Sequence, residues 1–421
     1  MIRNNYICAL DLGSSKISAV VCHLKRRHIT DVFFDTQAVK GIKKGLVVDS
    51  IELVGAIDKL LKNLKAKSGI NIKYIYANIS GQDIIMRHSH AVIPLAERGN
   101  KVITLSDILK VNEQARILGS DLEEEIIHQV PMGYSVDSKN DILNPLGLYS
   151  HKLEVNLFLV CAKTSFIQTV TRIINQAGYE IKDLFFSGLA TCEAVFNSYS
   201  RSPVSGMQVF CDLGADTTEL LVFNNGRLKN IEILSLGGDD LTWHIAEALK
   251  IPFDLAEDIK RSYGQVGEFS QIAGEKEILI KRESMYKPIQ QKLISEIVTD
   301  KAQYVCRKLK EAVEKNAPHE KIDSFTAVGR TVLLEGFLET LESVLGSPVK
   351  LGRLMHPDLT TLANKDPNLT GQKYLTYVAA LGTISTALRG KFIQNLPIRM
   401  PSRTIARSLF HRVKEMYQEY F

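Results

Sequence analysis

One short pattern occurs twice in this chain and constrains its fold more than any other feature. Asp11-Leu12-Gly13 and Asp212-Leu213-Gly214 each follow a short apolar run, and each precedes two β-like runs that a polar reversal separates. This order predicts a strand, a tight loop, a strand, a hairpin and a strand, twice over. A single Asp-Gly turn is common hairpin chemistry, but two copies with matching flanks indicate a duplicated α/β fold.

Both loops have the chemistry of a phosphate-binding loop. Glycine lets the backbone approach an anion closely, and exposed N–H groups and Ser or Thr hydroxyls donate hydrogen bonds to it. An Asp carboxylate can hold a hydrated Mg²⁺ ion. We therefore expect the two loops to bind one nucleotide between them.

Size and composition favour a globular protein with more than one domain. The 421 residues have room for two or three domains, and 45% apolar with 24% charged residues is ordinary for a soluble chain. No apolar run approaches the roughly 18 to 20 residues of a membrane span, and the N-terminus has no signal-peptide pattern. We expect the chain to remain in the cytoplasm.

Charge and cysteine content exclude two further classes of protein. The net charge is only +5, with 52 basic residues interleaved with 47 acidic ones, so nucleic acid is not an expected partner. The six cysteines are scattered among apolar neighbours without a C-x-x-C pair or a nearby histidine cluster. They are interpreted as reduced core residues, not as metal ligands.

The stretches between and after the loops indicate how the chain is organised. From Gly81 to about Cys161, short alternating strands surround a capped helix at Ser106 to Leu118, which predicts a small α/β module inserted into the first domain. A mostly helical, charged stretch runs from Leu241 to Lys315 after the second loop. Tyr374 to Leu388 predicts a last helix that is rich in small residues.

Several longer segments narrow the family. They are Lys44-Gly45-Leu46-Val47-Val48-Asp49, Asn78-Ile79-Ser80-Gly81, Ile127-His128-Gln129-Val130-Pro131-Met132-Gly133-Tyr134-Ser135-Val136-Asp137, Asn144-Pro145-Leu146-Gly147-Leu148, Gly237-Gly238-Asp239-Asp240-Leu241-Thr242 and Ala256-Glu257-Asp258-Ile259-Lys260. With the two loops they resemble the FtsA family of bacterial cell-division proteins, within the actin, Hsp70 and sugar-kinase superfamily. The resemblance covers nearly the whole chain, from about residue 9 to 388.

The resemblance implies an α/β fold of duplicated actin-like (ribonuclease H-like) domains, with an inserted small α/β subdomain and a C-terminal amphipathic helix. In the family's nomenclature, subdomain 1A would comprise 1–81, 163–205 and 375–390, and the insert, subdomain 1C, would comprise 82–162. Subdomain 2A would comprise 206–244 and 323–374, with subdomain 2B at 245–322. A linker at 391–401 would lead to the amphipathic helix at 402–421.

The resemblance also implies the residues that bind ATP and Mg²⁺. In the first loop the phosphate contacts would be Gly13, Ser14, Ser15 and Lys16, and in the second they would be Gly214, Thr217 and Thr218. Asp11 and Asp212 would hold Mg²⁺ through water. Gly237 and Gly238 match the family's glycine pair beside the second set of phosphates, and Glu257 with Lys260 match a helical pair facing the ribose and base. Residues three apart on a helix also form simple solvated ion pairs, which is the alternative for Glu257 and Lys260.

Three positions depart from the family's pattern. Asp216 stands where a glycine is usual, and a carboxylate there repels phosphate unless it points away or meets the metal. The adenine-side turn reads Gly329-Arg330-Thr331 in place of a glycine pair, so Arg330 would stack on the base or crowd it. Ser187 aligns with the Gln or Glu that lies near the attacking water in related proteins, and a hydroxyl is a poor base. We expect nucleotide to act as a structural cofactor or switch, with slow hydrolysis or none.

The last part of the chain predicts a membrane-binding helix. Pro397 and Pro401 mark a linker, and Ser402 is a good N-cap for the segment that follows. Its apolar residues recur every three or four positions along one stripe: Ile405, Leu409, Phe410, Val413, Met416, Tyr417, Tyr420 and Phe421. Its basic residues lie outside that stripe: Arg403, Arg407, Arg412 and Lys414. This pattern predicts a helix at the surface of an anionic membrane, as in the FtsA family, and the alternative is a C-terminal helix docked on the protein body.

The family resemblance implies a cell-division adaptor that tethers the FtsZ ring to the cytoplasmic face of the cell membrane at the division site. The FtsZ C-terminal peptide is expected on the 2A/2B side, between about 250 and 325. Subdomain 1C is expected to support self-association into filaments and to contact later division proteins. The alternatives are a relative of the pilus-assembly protein PilM, which shares the fold and the insert, and a catalytic ATPase or kinase of the same superfamily.

Overall fold

A computed structural model describes residues 6–25, 28–96, 99–137, 139–196, 206–267, 277–282, 285–318, 320–363, 366 and 369–392. These residues form two compact units, and the chain passes from one to the other between 198 and 199 and back between 353 and 354. Each unit has its own hydrophobic core. None of the helices in the described ranges is long and apolar enough to cross a membrane.

The first unit holds thirteen strands and six α-helices within its described residues. Its strands are β1 (Tyr6–Leu12), β2 (Lys16–Lys25), β3 (His28–Ala38), β4 (Ile42–Lys43), β5 (Leu46–Val47), β6 (Tyr74–Ile79), β7 (Ile84–Pro94), β8 (Lys101–Val102), β9 (Glu124–Val136), β10 (Lys139–Ile142), β11 (Tyr149–Ser150), β12 (Lys152–Lys163) and β13 (Glu180–Phe186). Its first four helices are α1 (Ser50–Ser68), α2 (Leu105–Leu118), α3 (Thr164–Gln176) and α4 (Ser187–Val195). The other two helices follow the second unit in the chain.

The second unit has seven strands and four α-helices in the residues described. Its strands are β14 (Met207–Leu213), β15 (Thr218–Asn224), β16 (Arg227–Leu234), β17 (Glu277–Arg282), β18 (Met285–Gln290), β19 (Ile322–Val328) and β20 (Val349–Leu351), and its helices are α5 (Gly238–Leu249), α6 (Phe253–Tyr263), α7 (Gln291–Asn316) and α8 (Phe337–Leu345). The chain then returns to the first unit with α9 (Pro357–Ala363) and α10 (Val378–Phe392). Short 3₁₀ turns lie at Thr331–Leu333 and Lys373–Thr376.

The two central sheets have the same construction. The first has the strand order β13-β6-β1-β2-β3, and the second has the order β16-β15-β14-β19-β20. In each, the strand before the Asp-Leu-Gly turn pairs antiparallel with the strand after it and parallel with a later strand on its other side. The duplicated α/β fold predicted from the two loops is therefore confirmed.

The insert forms a separate small core on the first unit. Its four-stranded sheet has the order β10-β9-β12-β7, and α2 packs against β7 and β12. Thr104 caps α2 by accepting from the Asp107 backbone N–H, and the Asp107 carboxylate accepts from the Thr104 backbone N–H in return. A buried cluster that includes Leu153, Leu157 and Val111 fills the space between helix and sheet.

Close backbone packing at the base of the insert explains two of the segments that carry the family resemblance. Gly45 has a positive φ of 77°, and a Cβ at this position would overlap the Ser80 carbonyl oxygen and the Cα of Gly81. A larger residue at position 45 would push the Lys44-Gly45 turn away from the Ser80-Gly81 turn, where the chain leaves β6 for the insert. Glycine is therefore required at position 45. Lys44-Gly45 and Ser80-Gly81 are thus two sides of one contact.

Two boundaries differ from those expected. Residues from Leu354 belong to the first unit, although the sequence assignment put 323–374 in subdomain 2A. The reason is local packing: the Met355 N–H donates to the Ala194 carbonyl at 2.9 Å, and Asp358 accepts from the Ile29 N–H at 3.1 Å. The last helix also continues to Phe392, two residues into the segment assigned to the linker.

Candidate functional site

The two loops have the same geometry at their glycines. A Cβ on Gly13 would lie 2.8 Å from the Lys16 carbonyl oxygen, and a Cβ on Gly214 would lie 2.7 Å from the Thr217 carbonyl oxygen. Each loop is therefore too tight for a side chain at this position, which is the property that lets a backbone approach a phosphate. Ser14 and Ser15 lie in the first loop and are partly exposed.

The Asp11 carboxylate lies at the end of β1 among hydrogen-bond donors. Ser18 on β2 donates to Asp11 Oδ2 at 3.5 Å. Burial raises the pKa of Asp11, and this rise is opposed by Lys16 and by the side chains of Asn78, Ser18 and Ser187. Lys16 and Ser187 therefore both act on the Asp11 carboxyl against the effect of burial.

Lys16 has a further contact that the sequence does not indicate. Its Nζ donates to the Thr376 carbonyl at 2.6 Å and lies 5.8 Å from the centre of the Tyr377 ring. These contacts connect the first loop to the segment that leads into α10. To meet a phosphate through its ammonium group, Lys16 has to exchange or share this carbonyl.

Asn78 lies on the strand next to Asp11, and no role is predicted for it from the sequence. It is fully buried on β6, its Oδ1 accepts from the Thr383 hydroxyl on α10, and its Nδ2 has no close hydrogen-bond partner. An unsatisfied buried donor beside Asp11 is costly unless a ligand or water completes it. The quoted segment Asn78-Ile79-Ser80-Gly81 contained the signal, because Asn at the end of a buried strand is unusual.

The second loop is fixed to the first turn of α5. The Gly238 N–H donates to the Gly214 carbonyl at 2.9 Å and the Asp239 N–H to the Ala215 carbonyl at 2.8 Å, while the Gly237 N–H donates to Asp240 Oδ2 at 2.8 Å. Three of the N–H groups that a helix N-terminus can offer to an anion are therefore used within the unit. The structure therefore brings Gly214 next to Gly237 and Gly238. The N–H groups of Gly237 and Gly238 are already used in hydrogen bonds within the unit.

Thr218 and the turn after β19 complete the surroundings of this loop. Thr218 is fully buried and its hydroxyl donates to the Leu236 carbonyl at 2.8 Å, so its side chain is not directed to a phosphate. Thr331 donates to the Gly214 carbonyl at 3.4 Å. Gly329 is buried and Arg330 follows it at the surface, with a pKa that partial burial lowers.

Glu257 and Lys260 form a buried network, neither a solvated ion pair nor a free pair facing a ligand. Lys260 is only 6% exposed. Its Nζ lies 2.6 Å from Glu257 Oε2 and donates to the Gly238 carbonyl at 2.8 Å and to the Thr242 hydroxyl at 2.7 Å. Arg261 donates to the other Glu257 oxygen at 2.7 Å. Because an ammonium has three donors, Lys260 is saturated and supports the first turn of α5.

Replacing Lys260 with alanine is expected to destabilise the second unit by about 2 kcal/mol, because Glu257 and the Gly238 carbonyl would lose a buried partner. Arg261 would still donate to Glu257 in this variant, so the loss of stability should be smaller than for a completely broken ion pair. Urea unfolding followed by the fluorescence of Trp243 measures this unit specifically, since Trp243 is the single tryptophan and lies on α5. Lys292→Ala, at an exposed position of α7, serves as the control. Equal midpoints for the two variants would contradict the buried role of Lys260.

The donor set tests whether Mg²⁺ and a nucleotide suit these residues. Asp11 and Asp212 lie at equivalent ends of β1 and β14, and a carboxylate that holds Mg²⁺ through water suits such a position. Among the described residues, no group of three or more His, Cys, Asp or Glu side chains is arranged to hold a metal directly. The proposed membrane-binding residues 402–421 lie outside the described part of the chain.

Two family models match most of the chain. The model described as cell division protein FtsA matches residues 209–382, and the model described as the SHS2 domain inserted in FtsA matches residues 81–161. Among curated relatives, the cell division protein FtsA of Bacillus subtilis is 23% identical over 410 residues, covering 96% of this chain and 89% of the relative. FtsA of Streptococcus pneumoniae is 24% identical over 353 residues, covering 83% of this chain and 76% of the relative.

Solved structures with the same fold include other actin-like proteins. The PilM–PilN type IV pilus biogenesis complex superimposes with a TM-score of 0.64 at 16% identity, covering 91% of this chain and 98% of that chain. MreB5 of Spiroplasma citri bound to ADP superimposes with a TM-score of 0.53 at 12% identity, covering 93% and 99%. At these identities the similarity establishes the fold alone.

Proposed function

We propose that this chain, which belongs to the FtsA family of cell division proteins, is a nucleotide-binding adaptor that tethers the FtsZ ring to the membrane. Its family assigns it a role in cell division. The observation that carries the finer proposal is the duplicated Asp-Leu-Gly loop, present with the same tight glycine geometry on two sheets of the same strand order. The inserted module and the sequence of the C-terminal segment add the other parts of an adaptor.

For the nucleotide, we propose that the first loop contributes most of the direct contacts. Gly13, Ser14, Ser15 and Lys16 would bind phosphate, and Asp11 would hold the hydrated Mg²⁺, with Asn78 donating to the same water shell. Bound Mg²⁺ would supply charge neutralisation for the polyphosphate. In the second unit Asp212, Gly214 and Thr217 would have the equivalent roles.

Slow hydrolysis or none is part of the same proposal. Ser187 occupies the position where related proteins have a Gln or Glu, and its hydroxyl hydrogen-bonds to Asp11. A hydroxyl that stabilises a carboxylate is a poor general base at neutral pH. Bound nucleotide would then act by changing the conformation of the protein. A measured phosphoryl-transfer rate typical of kinases would favour the catalytic alternative instead.

For the membrane, we propose that residues 402–421 bind an anionic surface as an amphipathic helix. The apolar stripe from Ile405 to Phe421 would enter the acyl boundary, and Arg403, Arg407, Arg412 and Lys414 would face the headgroups. A single such helix gives reversible binding. Self-association of the chain into filaments, with subdomain 1C taking part, would strengthen it because several helices bind together.

For protein partners, we propose that the FtsZ C-terminal peptide binds the second unit between about 250 and 325. This range contains α6, the β17–β18 hairpin and α7. Later division proteins would contact subdomain 1C. The similarity to the PilM–PilN complex keeps a pilus-assembly relative as the second candidate, and the C-terminal helix discriminates, since it is part of the adaptor proposal alone.

The test is co-sedimentation with liposomes of anionic or neutral composition, using the full chain and a chain that ends at Pro401. We expect the full chain to sediment with anionic liposomes and the truncated chain to remain in the supernatant. Arg407→Gln should weaken binding about fivefold, since each cation near the surface contributes about 1 kcal/mol. Phe410→Glu should abolish binding, whereas Gln418→Ala, outside the stripe, should not change it. Undiminished sedimentation of the truncated chain would rule out the helix as the anchor.

A further inference from the structure

A buried pair of polar side chains connects the last helix to the first sheet. Asn78 lies on β6 and Thr383 on α10, and both are fully buried. The Thr383 hydroxyl donates to Asn78 Oδ1 and also lies 3.0 Å from the Ala379 carbonyl oxygen, one helical turn earlier. A bond to the carbonyl one turn back is ordinary for a helical threonine, whereas the helix itself does not require the bond to Asn78. The second bond therefore serves to hold Asn78.

Asn78 belongs to a row of polar side chains that crosses the first sheet. In the register of β6, β1 and β2, Asn78 is opposite Asp11, and Asp11 is opposite Ser18. Residues in register on neighbouring strands project to the same face, and the strands are about 4.8 Å apart. Ser18 donates to Asp11 Oδ2 at 3.5 Å. On its other side Asn78 is opposite Phe185 of β13, so Asp11 is the polar one of its two neighbours in the sheet.

The bond from Thr383 decides which end of the Asn78 amide faces Asp11. With Oδ1 held on the α10 side, the amide directs Nδ2 away from the hydroxyl, and among the described residues Nδ2 has no close hydrogen-bond partner. The opposite orientation would place Oδ1 next to the Asp11 carboxylate, and two acceptors repel each other. A donor beside a carboxylate attracts it and holds it in one orientation. Thr383 therefore selects the orientation in which Asn78 can act on Asp11 as a donor.

The packing of α10 fixes the position of this hydroxyl. A Cβ at Gly382 would overlap the Ala190 carbonyl oxygen, so α10 and α4 are in backbone contact directly beside Thr383. Just before α10 begins, the Thr376 carbonyl accepts from Lys16 Nζ at 2.6 Å. The helix therefore cannot move away from the first loop without breaking both the bond to Lys16 and the bond from Thr383.

We propose that Thr383 is a positioning residue for the first loop: its hydroxyl turns the Asn78 amide so that the N–H donor faces Asp11, the carboxylate proposed to hold hydrated Mg²⁺. This inference rests on the proposed binding of Mg·ATP, and it names a residue that acts on this binding through Asn78. Groups that hold a metal generally need such an oriented hydrogen-bond partner behind them. Thr383 should therefore affect the part of the affinity that depends on the cation.

Thr383→Val keeps the shape of the side chain and removes the hydroxyl. The affinity for Mg·ATP should fall about tenfold, the loss expected when one hydrogen bond to a charged group is no longer held in place. The affinity for ATP in EDTA should hardly change, because Asp11 acts on the nucleotide through the cation. Thr383→Ser keeps the hydroxyl and should restore the affinity for Mg·ATP. Thr383→Cys, a weaker donor of similar size, should lie between the two and serves if the valine variant does not fold.

Calorimetry on the full chain measures both affinities. Thr386→Val is the matched control, because Thr386 lies on the same helix and its hydroxyl donates to the Gly382 carbonyl, one turn earlier, at 2.9 Å. This control should keep the ratio of the two affinities found for the unaltered chain. In an Asn78→Ala background, Thr383→Val should have no further effect on the affinity for Mg·ATP, since its effect passes through Asn78.

A second measurement uses the chain without nucleotide. Hydrogen exchange of the 74–79 segment in increasing urea should show a larger loss of stability for Thr383→Val than for Thr386→Val, because Asn78 Oδ1 loses its donor only in the first variant. Equal stability of the two valine variants would show that Asn78 does not depend on Thr383, and would overturn the inference.

The binding data can contradict the inference in three further ways. An equal loss of affinity with and without Mg²⁺ would make Thr383 a structural support of the whole loop. A serine variant as weak as the valine variant would show that the hydroxyl is not what matters. An additional loss in the Asn78→Ala background would show that Thr383 does not act through Asn78. If the unaltered chain binds neither form of ATP, the proposed nucleotide function itself is refuted.

Discussion

Replacing Asp183 with asparagine is expected to stabilise the first unit by about 4 kcal/mol at pH 8 and to have little effect at pH 4. Asp183 is 8% exposed on β13, next to a bulge that also displaces Lys182. Burial raises the pKa of Asp183 from 3.8 to about 7, and the Leu184 N–H and Lys182 oppose this rise only in part. The folded state therefore holds a proton that the unfolded state releases at neutral pH.

The sign follows from this higher pKa in the folded state. The contribution of Asp183 to stability is fully present below pH 3.8 and is lost as the pH rises towards 7. Asparagine keeps the acceptor for the Leu184 N–H, which lies 3.0 Å from Asp183 Oδ1, and cannot ionise. The stability gained with asparagine should therefore equal the stability that the aspartate loses as the pH rises.

Hydrogen exchange of the 180–186 segment in increasing urea measures the change in the first unit, because Trp243 reports only on the second. Asp31→Asn, at an exposed position of β3, is the control and should change stability little at either pH. If Asp183→Asn instead lowers stability at pH 8, the carboxylate has a cationic partner in the folded protein and the reasoning fails.

The features that could be predicted from the sequence are those that depend on local chain geometry. A tight turn between two apolar runs needs glycine wherever it occurs, so Gly13 and Gly214 could be identified from their neighbours along the chain. The helix at Leu105–Leu118 is similarly marked by its own cap and periodicity. The duplicated strand order followed from the same local signals.

The features that the sequence did not predict depend on contacts between distant segments. Lys260 is three positions from Glu257, but its burial is decided by the Gly238 carbonyl, 22 positions away. Asn78 is held by Thr383, and the end of the second unit is decided by the Met355 N–H donating to Ala194. No pattern of neighbouring residues encodes such pairings, and they emerge only when the sheets and helices are assembled.

The two loops also differ in the group opposite each aspartate. Asp11 pairs across its strands with Ser18, a donor, whereas Asp212 pairs with Glu219, a second acid that is 4% exposed. Asp216 and Asp239 add further carboxyl groups to the second loop. The first loop is therefore the better anion site on its own, and the second should respond more strongly to protons and cations.

Lowering the pH from 7 to 4 is expected to remove about 3 kcal/mol of stability through His128 alone. His128 lies on β9 of the insert, and its Nε2 accepts the Phe186 N–H at 2.9 Å, where β13 ends and α4 begins. It is 8% exposed, and burial lowers its pKa from 6.5 to about 4. Since Nε2 must be unprotonated to accept, the proton of the neutral ring lies on Nδ1.

The contribution of His128 to stability changes with pH in the opposite direction to that of Asp183. A histidine whose pKa is lower in the folded state contributes stability that is fully present above pH 6.5 and is lost as the pH falls to 4. The two groups therefore act against each other between pH 4 and 6.5 in one unit, and the unaltered chain should show a shallow pH dependence there. Glutamine at position 128 can still accept a hydrogen bond through Oε1. His128→Gln should therefore remove only the pH dependence that the histidine contributes.

The background of Asp183→Asn separates these two effects. In that variant the stability of the first unit, measured by exchange of the 180–186 segment, should fall steeply as the pH drops from 6.5 to 4, and adding His128→Gln should abolish the histidine-dependent fall. His88→Gln, at an exposed position of β7, should leave the slope unchanged. A slope that survives His128→Gln would mean that His128 is already charged in the folded protein. The junction between the insert and β13 would then have to be held without the hydrogen bond from Phe186.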